Sequence, residues 1–295
     1  MVYLKRGYVY AVLAALMFGS ASVLIKLSYS TGIDSLDMLT VQYAIASFLM
    51  FAVIFIMDRK KLCLNKSQFL RLGIFGVFGN TLMILFYYEE FKYVSAAVGT
   101  MLLFTYPAMV LAYSILFKGK RATMRNVAAV FICFLGCTMG LNIFSGDIHY
   151  ELKGILFGLL SAVFYAFMNI YSEEKLQDVD SAVINAYSML FSFAVIVLYK
   201  PPILLIQKGI AKESMIYIVI IAVFTEAIPL SMMYSSIKLI GSVKTSILGN
   251  IEIPSSIVLS WIFLSEKISI LQITGGILIA LAVCIMTGDK QSGYL

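Results

Sequence analysis

The chain has 295 residues, 61% of them hydrophobic and only 13% charged, with a mean hydropathy of +0.94. Soluble domains carry about 45–50% apolar and about 25% charged residues, so this composition excludes an ordinary water-soluble globule and makes lipid part of the solvent. The net charge of +6 is gathered between apolar runs, which points to a one-sided membrane distribution and away from nucleic acid as a partner.

A membrane-crossing helix needs about 20 mostly apolar residues. The sequence predicts ten such runs: Gly7–Ser28, Leu36–Met57, Phe69–Glu89, Ser95–Phe117, Met124–Phe144, Leu152–Tyr171, Ala182–Tyr199, Met215–Ile237, Val243–Leu264 and Ser269–Gly288. The first follows Lys5 and Arg6 and contains Gly19-Ser20-Ala21-Ser22, which imitates a secretory leader. It has a counterpart at 154–172, so a retained span is expected. Loops are short, the longest running from Lys200-Pro201-Pro202 to Ser214.

The stretch Gly241–Lys267 has an earlier version at Ser95–Lys120. One shift of numbering sets Lys92 against Lys238, Thr100 against Ser246, Tyr106 against Glu252 and Gly119 against Ser265. A repeat of about half the chain divides it into residues 1–147 and 148–295, each with five spans. Five is odd, so the second copy runs upside down relative to the first. Basic residues in the first half (Lys5, Arg6, Arg59, Lys60, Lys61, Lys66, Arg71, Lys118, Lys120, Arg121, Arg125) fall on the side of the N-terminus. The expected fold is therefore an all-α integral membrane protein, multi-pass in the cell membrane. Its ten transmembrane helices form two inverted five-helix repeats, with both termini cytoplasmic. Inverted repeats are a recurring plan of secondary transporters, with the site near the midplane where the repeats meet.

Charges within a bilayer cost several kcal/mol (about 2.5–3.5 on insertion scales), so each is a candidate site. Glu226 falls near mid-depth of the eighth run, and the repeat sets Asn80 against it. It reads either as the ionisable centre of a transport cycle or as a neutral structural acid. Glu252 lies in the ninth run opposite Tyr106, with gating or helix packing as its alternatives. Pro107, Pro229 and Pro254 interrupt spans, and such breaks often line cavities. Tyr87-Tyr88-Glu89-Glu90-Phe91 reads as an aromatic belt or as an outer vestibule for cations. Ser20 and Ser22 stand against Asn169 and Tyr165 through the repeat relation. Gly136 and Gly140, and Gly276 and Ala280, have small-residue spacing suited to internal packing or to a homodimer face. Three of the four cysteines (Cys133, Cys137, Cys284, but not Cys63) lie in apolar runs, and the single His149 lies in a loop. The pattern suggests neither a disulfide framework nor a metal site, and no catalytic residue or cofactor is assigned. No phosphate-binding Gly loop precedes a Lys-Ser/Thr pair, so energy coupling is expected from a proton, an ion or a counter-substrate rather than ATP.

The apolar run with Glu252 and Pro254 that closes on Ser265-Glu266-Lys267 resembles the EamA-type domain of the drug/metabolite transporter superfamily. Tyr106-Pro107 to Gly119-Lys120, and Met17-Phe18-Gly19-Ser20 with Lys26, are similar to it as well. One departure is that Ile253, not proline, follows the Glu. The resemblance implies a small-molecule transporter with a path lined by the first, third, fourth, sixth, eighth and ninth spans. Export of metabolites such as amino acids is its commoner direction, with uptake of an organic cation as the alternative. A lipid flippase or membrane enzyme is the reading from another class.

Overall fold

Polarity in this protein is turned inside out relative to a soluble domain. Phe48, Ile56, Met124, Phe131 and Leu152 are mostly exposed, while Gln42, Asn80, Asn169, Asn185 and Asn250 are buried. A chain solvated by hydrocarbon keeps its hydrogen-bonding groups inside, where other protein groups satisfy them.

The computed structural model describes residues 2–29, 32–90, 93, 102–119, 123–140, 151–202, 209–264 and 268–287. Lys92, Lys120, Arg121, His149, the Ser265-Glu266-Lys267 closure and both chain ends lie outside the described residues. So do the side chains of Ser22, Lys26 and Tyr88.

The described chain is helical, without a strand among the described residues. Its helices are α1 (Val2–Phe18), α2 (Ala21–Tyr29), α3 (Ser35–Asp58), α4 (Lys66–Ile74), α5 (Leu82–Glu90), α6 (Tyr106–Leu116) and α7 (Met124–Gly140). There follow α8 (Leu152–Lys175), α9 (Ser181–Tyr199), α10 (Lys212–Ile221), α11 (Ile228–Ile240), α12 (Ser242–Gly249), α13 (Glu252–Leu264) and α14 (Ile270–Thr287). Among the described residues seven helical stretches are long and apolar enough to cross a membrane. They are Leu4–Ile25, Leu36–Leu62, Lys66–Tyr87, Leu152–Lys175, Ser181–Tyr199, Lys212–Ile240 and Ser242–Phe263. Tyr106–Leu116, Met124–Met139 and Ile270–Ile285 are shorter apolar helices.

Several of these stretches are interrupted. Turns of π type occupy Phe75–Thr81 between α4 and α5 and Ala222–Ala227 between α10 and α11. Asn80 lies in the first and Glu226 in the second, so the irregularity recurs at repeat-matched positions. A second matched pair is the break at Phe104-Thr105 before Tyr106 and the break at Asn250-Ile251 before Glu252. Pro107, Pro229 and Pro254 all fall in the first turn after an irregularity. A first-turn N–H has no intrahelical partner to lose, so proline is tolerated there at little cost. That also accommodates Pro254 one place later than the family pattern.

Two apolar cores hold the helices together, and each mixes both halves of the chain. One joins Met50 and Ile54 of α3, Leu72 and Phe75, Met168 of α8, Met189 of α9 and Tyr234 of α11. The other joins Tyr106 and Val110 of α6, Cys133 and Cys137 of α7, Ala162 and Ala166 of α8, Ile247 of α12 and Ile279 of α14. Tyr165 of α8 packs against both. Gly136 of α7 belongs to an internal contact with α14: a Cβ there would lie 2.8 Å from the Gly275 carbonyl oxygen. The small-residue spacing on α7 thus serves packing within the chain.

The ends of α3 and α9 are fastened by polar groups. Asp34 caps α3 by accepting from Leu36 N–H, and Asp180 caps α9 by accepting from Ala182 N–H. Lys200, just past α9, pairs with Asp34 at 2.6 Å and Asp37 at 3.1 Å. Lys61, just past α3, pairs with Asp180 at 2.8 Å. Arg71 holds Asp178 with two hydrogen bonds of 2.9 and 2.7 Å. Those bonds pull the Asp178 carboxyl down to about 2, and the Lys200 hydrogen bond likewise lowers Asp34.

Candidate functional site

Glu226 sits in the second π turn, and Gln42 of α3 donates to its Oε1 at 2.8 Å. A π turn leaves main-chain carbonyls poorly served, and here Asn185 of α9 serves them. Its Nδ2 donates to Glu226 O (3.2 Å), Ala227 O (2.9 Å) and Ser231 Oγ (3.0 Å). Insertions of this kind recur at functional sites, where they re-aim a side chain.

Glu252 is the first residue of α13. The partial positive charge of a helix N-terminus favours a carboxylate there. The break before it is closed by Asn250, whose Nδ2 donates to Ser246 O (3.2 Å) and Ile247 O (3.1 Å). Tyr106 of α6 also donates to Ser246 O, at 3.1 Å. Its hydroxyl occupies the space a Cβ on Gly249 would fill, 2.6 Å away.

Tyr165 of α8 is near both acids. Its ring meets that of Tyr106 at 4.3 Å between centroids, and its hydroxyl is within electrostatic range of both Glu252 and Glu226. Protein encloses both carboxyls on all sides, yet each keeps some accessible surface. That combination belongs to side chains lining an internal gap. Among the described residues neither acid has an ion pair, and Glu252 has no hydrogen bond from its side chain.

The α1–α2 junction docks on the start of α13. A Cβ on Gly19 would lie 2.6 Å from Ser255 Cβ and 2.9 Å from Glu252 O, and Ser255 Oγ donates to Leu16 O at 3.1 Å. The repeat relation sets Gly19 against Tyr165 and Glu252 against Tyr106. In space Gly19 meets Glu252 and Tyr165 meets Tyr106, so the contact itself is repeated.

Other residues singled out in the sequence have more local partners. Asn80 is buried and donates to Ser192 Oγ of α9 at 2.9 Å, beside Thr81, which bonds Gly76 O at 2.8 Å. It braces the first π turn and makes no hydrogen bond to Glu226. Ser20 donates to Met17 O at 2.7 Å, satisfying the α1–α2 turn. Asn169 donates to Tyr165 O, one turn back on its own helix, at 2.9 Å. Glu90, the acid of the vestibule expectation, is the last residue of α5. It is fully buried against Gly158 of α8 and Leu102, its oxygens without hydrogen-bond partners among the described residues. The backbone of Tyr88 lies in α5, and its side chain is outside the described residues.

Gln42, Asn185 and Asn250 escaped the sequence reading. The available signal was that Gln42 and Asn185 are the lone amides of α3 and α9, where an apolar helix has to satisfy each amide inside the bundle.

A solved crystal structure shares this fold over 96% of both chains, with a TM-score of 0.80 at 15% identity. Uncharacterized transporter YcbK from Bacillus subtilis (strain 168) is 24% identical over 277 residues, covering 91% of this chain and 88% of that one. An uncharacterized transporter in the sor 3'region of Acidianus ambivalens is 31% identical over 144 residues, 48% of this chain and 53% of its own. The model of the EamA-like transporter family matches twice, at residues 5–141 and 152–288, and the chain belongs to that family.

Proposed function

We propose that this membrane transporter is a secondary transporter that moves a small polar or amphipathic metabolite, such as an amino acid or related compound, by alternating access. The observation that carries the reading is the pair of enclosed acids, Glu226 and Glu252, both within electrostatic range of Tyr165 and both at irregular helix turns. Ten membrane-crossing helices in two inverted five-helix repeats, residues 1–147 and 148–295, form the framework of this proposal. The double family match, the recurring π turns and the recurring helix breaks support it. Two similar halves of opposite orientation exchange conformations and open one site first to one side and then to the other.

The basic residues of the first half support a cell-membrane protein with both termini in the cytoplasm, and export is the direction we assign. Single cysteines added at Met1 and Leu295 should resist an impermeant reagent in intact cells; labelling of either overturns the orientation. Uptake of an organic cation is the second reading. It is favoured by two acids without ion pairs among the described residues beside tyrosine rings.

The test is reconstitution. Purified protein is screened by thermal shift against amino acids, amines and nucleotides, since a ligand stabilises by its binding free energy. The best ligand is then followed into proteoliposomes under imposed proton or sodium gradients. Glu226→Gln should abolish gradient-driven accumulation while leaving the folded protein intact. A variant that still concentrates substrate removes Glu226 as the coupling acid and makes Glu252 the next candidate.

A further inference from the structure

Glu90 is enclosed in a different way from Glu226 and Glu252. It ends α5, beyond the apolar Lys66–Tyr87 stretch. The residue is 0% exposed, and neither carboxyl oxygen has a hydrogen-bond partner among the described residues. Its room comes from one missing atom. A Cβ on Gly158 of α8 would collide with Glu90 Oε2 and would lie 2.6 Å from Leu102 Cδ1. The Gly158 carbonyl is already taken by the Ser161 hydroxyl, at 2.7 Å.

Aromatic rings join the two helices around this seat. Phe86 lies one turn before Glu90 on the same face of α5. It stacks on Phe157, the neighbour of Gly158, at 5.9 Å between centroids and on Phe164 at 5.6 Å. Tyr93 meets Phe157 at 5.9 Å. The ionisable residues nearby are Tyr87, Glu89 and Tyr93 along its own chain and Glu151 and Lys153 of α8, the last two exposed. Residues 102–105, on the Leu102 side, include none before Tyr106. Among the described residues no ion pair or hydrogen bond reaches the Glu90 carboxyl. Burial pushes it up to about 8, with no opposing charge among those residues.

We propose that Glu90 is a proton-binding site that closes this end of α5 against α8: the neutral carboxyl occupies the Gly158 seat, and ionisation drives it out and separates the two helices there. An uncompensated carboxylate costs far more to bury than the neutral acid. Seat and charge therefore exclude each other, and the proton is the ligand of the closed form. Closure is fully supported below the open-state pKa of about 4.3, and that support is lost as pH rises towards about 8. The inference goes beyond the proposed transport cycle and does not depend on Glu226.

Amide hydrogen exchange of the full-length protein in detergent tests it, followed from pH 5 to 9 on peptides covering α5 and corrected for intrinsic exchange rates. In the parent the opening constant of α5 should rise about tenfold per pH unit until about pH 8 and then level off. In Glu90→Gln it should stay flat, because the amide keeps the shape and has no proton to lose. Gly158→Ala fills the seat and should hold α5 at the parent's high-pH level throughout. Where that variant does not fold, Glu90→Gln against the parent decides. Peptides from α3 should show no difference between parent and Glu90→Gln. An equal pH slope in parent and Glu90→Gln overturns the proposal, as does a flat parent or an equal loss of protection in α3. The readout involves no transport, so a failed transport assay and a failed Glu90 seat give separate results.

Discussion

The contact between Tyr106 and Gly249 ties the two matched helix breaks together, and it makes a quantitative prediction. Gly249 has no positive φ, so alanine fits its backbone. The obstacle is the Tyr106 hydroxyl, 2.6 Å from the new Cβ, with the ring carbon behind it at 3.9 Å. Gly249→Ala therefore drives the hydroxyl off Ser246 O. Overpacking costs about 1–3 kcal/mol, and the lost hydrogen bond adds about 0.6 to 1 kcal/mol. Tyr106→Phe alone should cost only about 0.6 to 1 kcal/mol, because Ser246 O keeps the Asn250 amide as a donor. In the Tyr106→Phe background the nearest contact relaxes to an ordinary 3.9 Å, and Gly249→Ala becomes neutral or gains a little from helix propensity. The four proteins form a double-mutant cycle with a coupling of about 1.6–4 kcal/mol, the whole cost of Gly249→Ala alone, measured by equilibrium unfolding in mixed micelles with increasing denaturing detergent. Additive costs, within about 0.5 kcal/mol, would refute the argument that the hydroxyl fills the space at Gly249.

Gly136→Leu should destabilise the protein by about 3 kcal/mol or prevent its folding, because the colliding neighbours include the Gly275 main chain, which cannot turn aside; near-native unfolding would sink the close α7–α14 approach. Asn185→Ala should cost about 1–3 kcal/mol, chiefly by orphaning Glu226 O, and Asn185→Asp should not restore stability because it supplies acceptors where donors are needed; rescue by Asp would contradict the assigned bonds. The Asp178 carboxyl, held at about 2 by Arg71, contributes stability that is complete above its unfolded pKa of about 3.9 and is lost as pH falls towards about 2. Asp178→Asn should therefore flatten part of the decline in unfolding midpoint over that window, by a small amount because the side chain is half exposed; an unchanged slope would remove the pair from the acid response.

Much of the architecture is legible in the sequence because hydrocarbon imposes a blunt rule. Leu36–Met57 or Leu152–Tyr171 can only be buried in lipid or in protein, and their lengths match a bilayer. Prolines 107, 229 and 254 mark three real irregularities. Nothing in Phe75–Thr81 or Ala222–Ala227 announces a π turn, since the same residues make an acceptable α-helix. Asn80 matches Glu226 by number, and each bonds a helix of the other half, Ser192 of α9 and Gln42 of α3, contacts that no local pattern encodes. The distance of Glu90 along the chain carries no information about the glycine on α8 that lets it sink out of reach of water. Gln42 and Asn185 read as minor interruptions because their partners come from helices far away in sequence.

One helix attends to both π turns. Through Asn185, α9 serves the carbonyls of the second turn, and through Ser192, two turns further along, it reaches Gly76 O and Asn80 of the first. Its counterpart α3 supplies neither; it offers Gln42 to the acid instead. Whatever duplication produced the two halves, they have since divided the labour and are no longer interchangeable. A protein assembled from two first halves would have neither Asn185 nor Glu226, and one assembled from two second halves would have neither Gln42 nor Asn80. A single unit rebuilt from either half would need both functions written back into it.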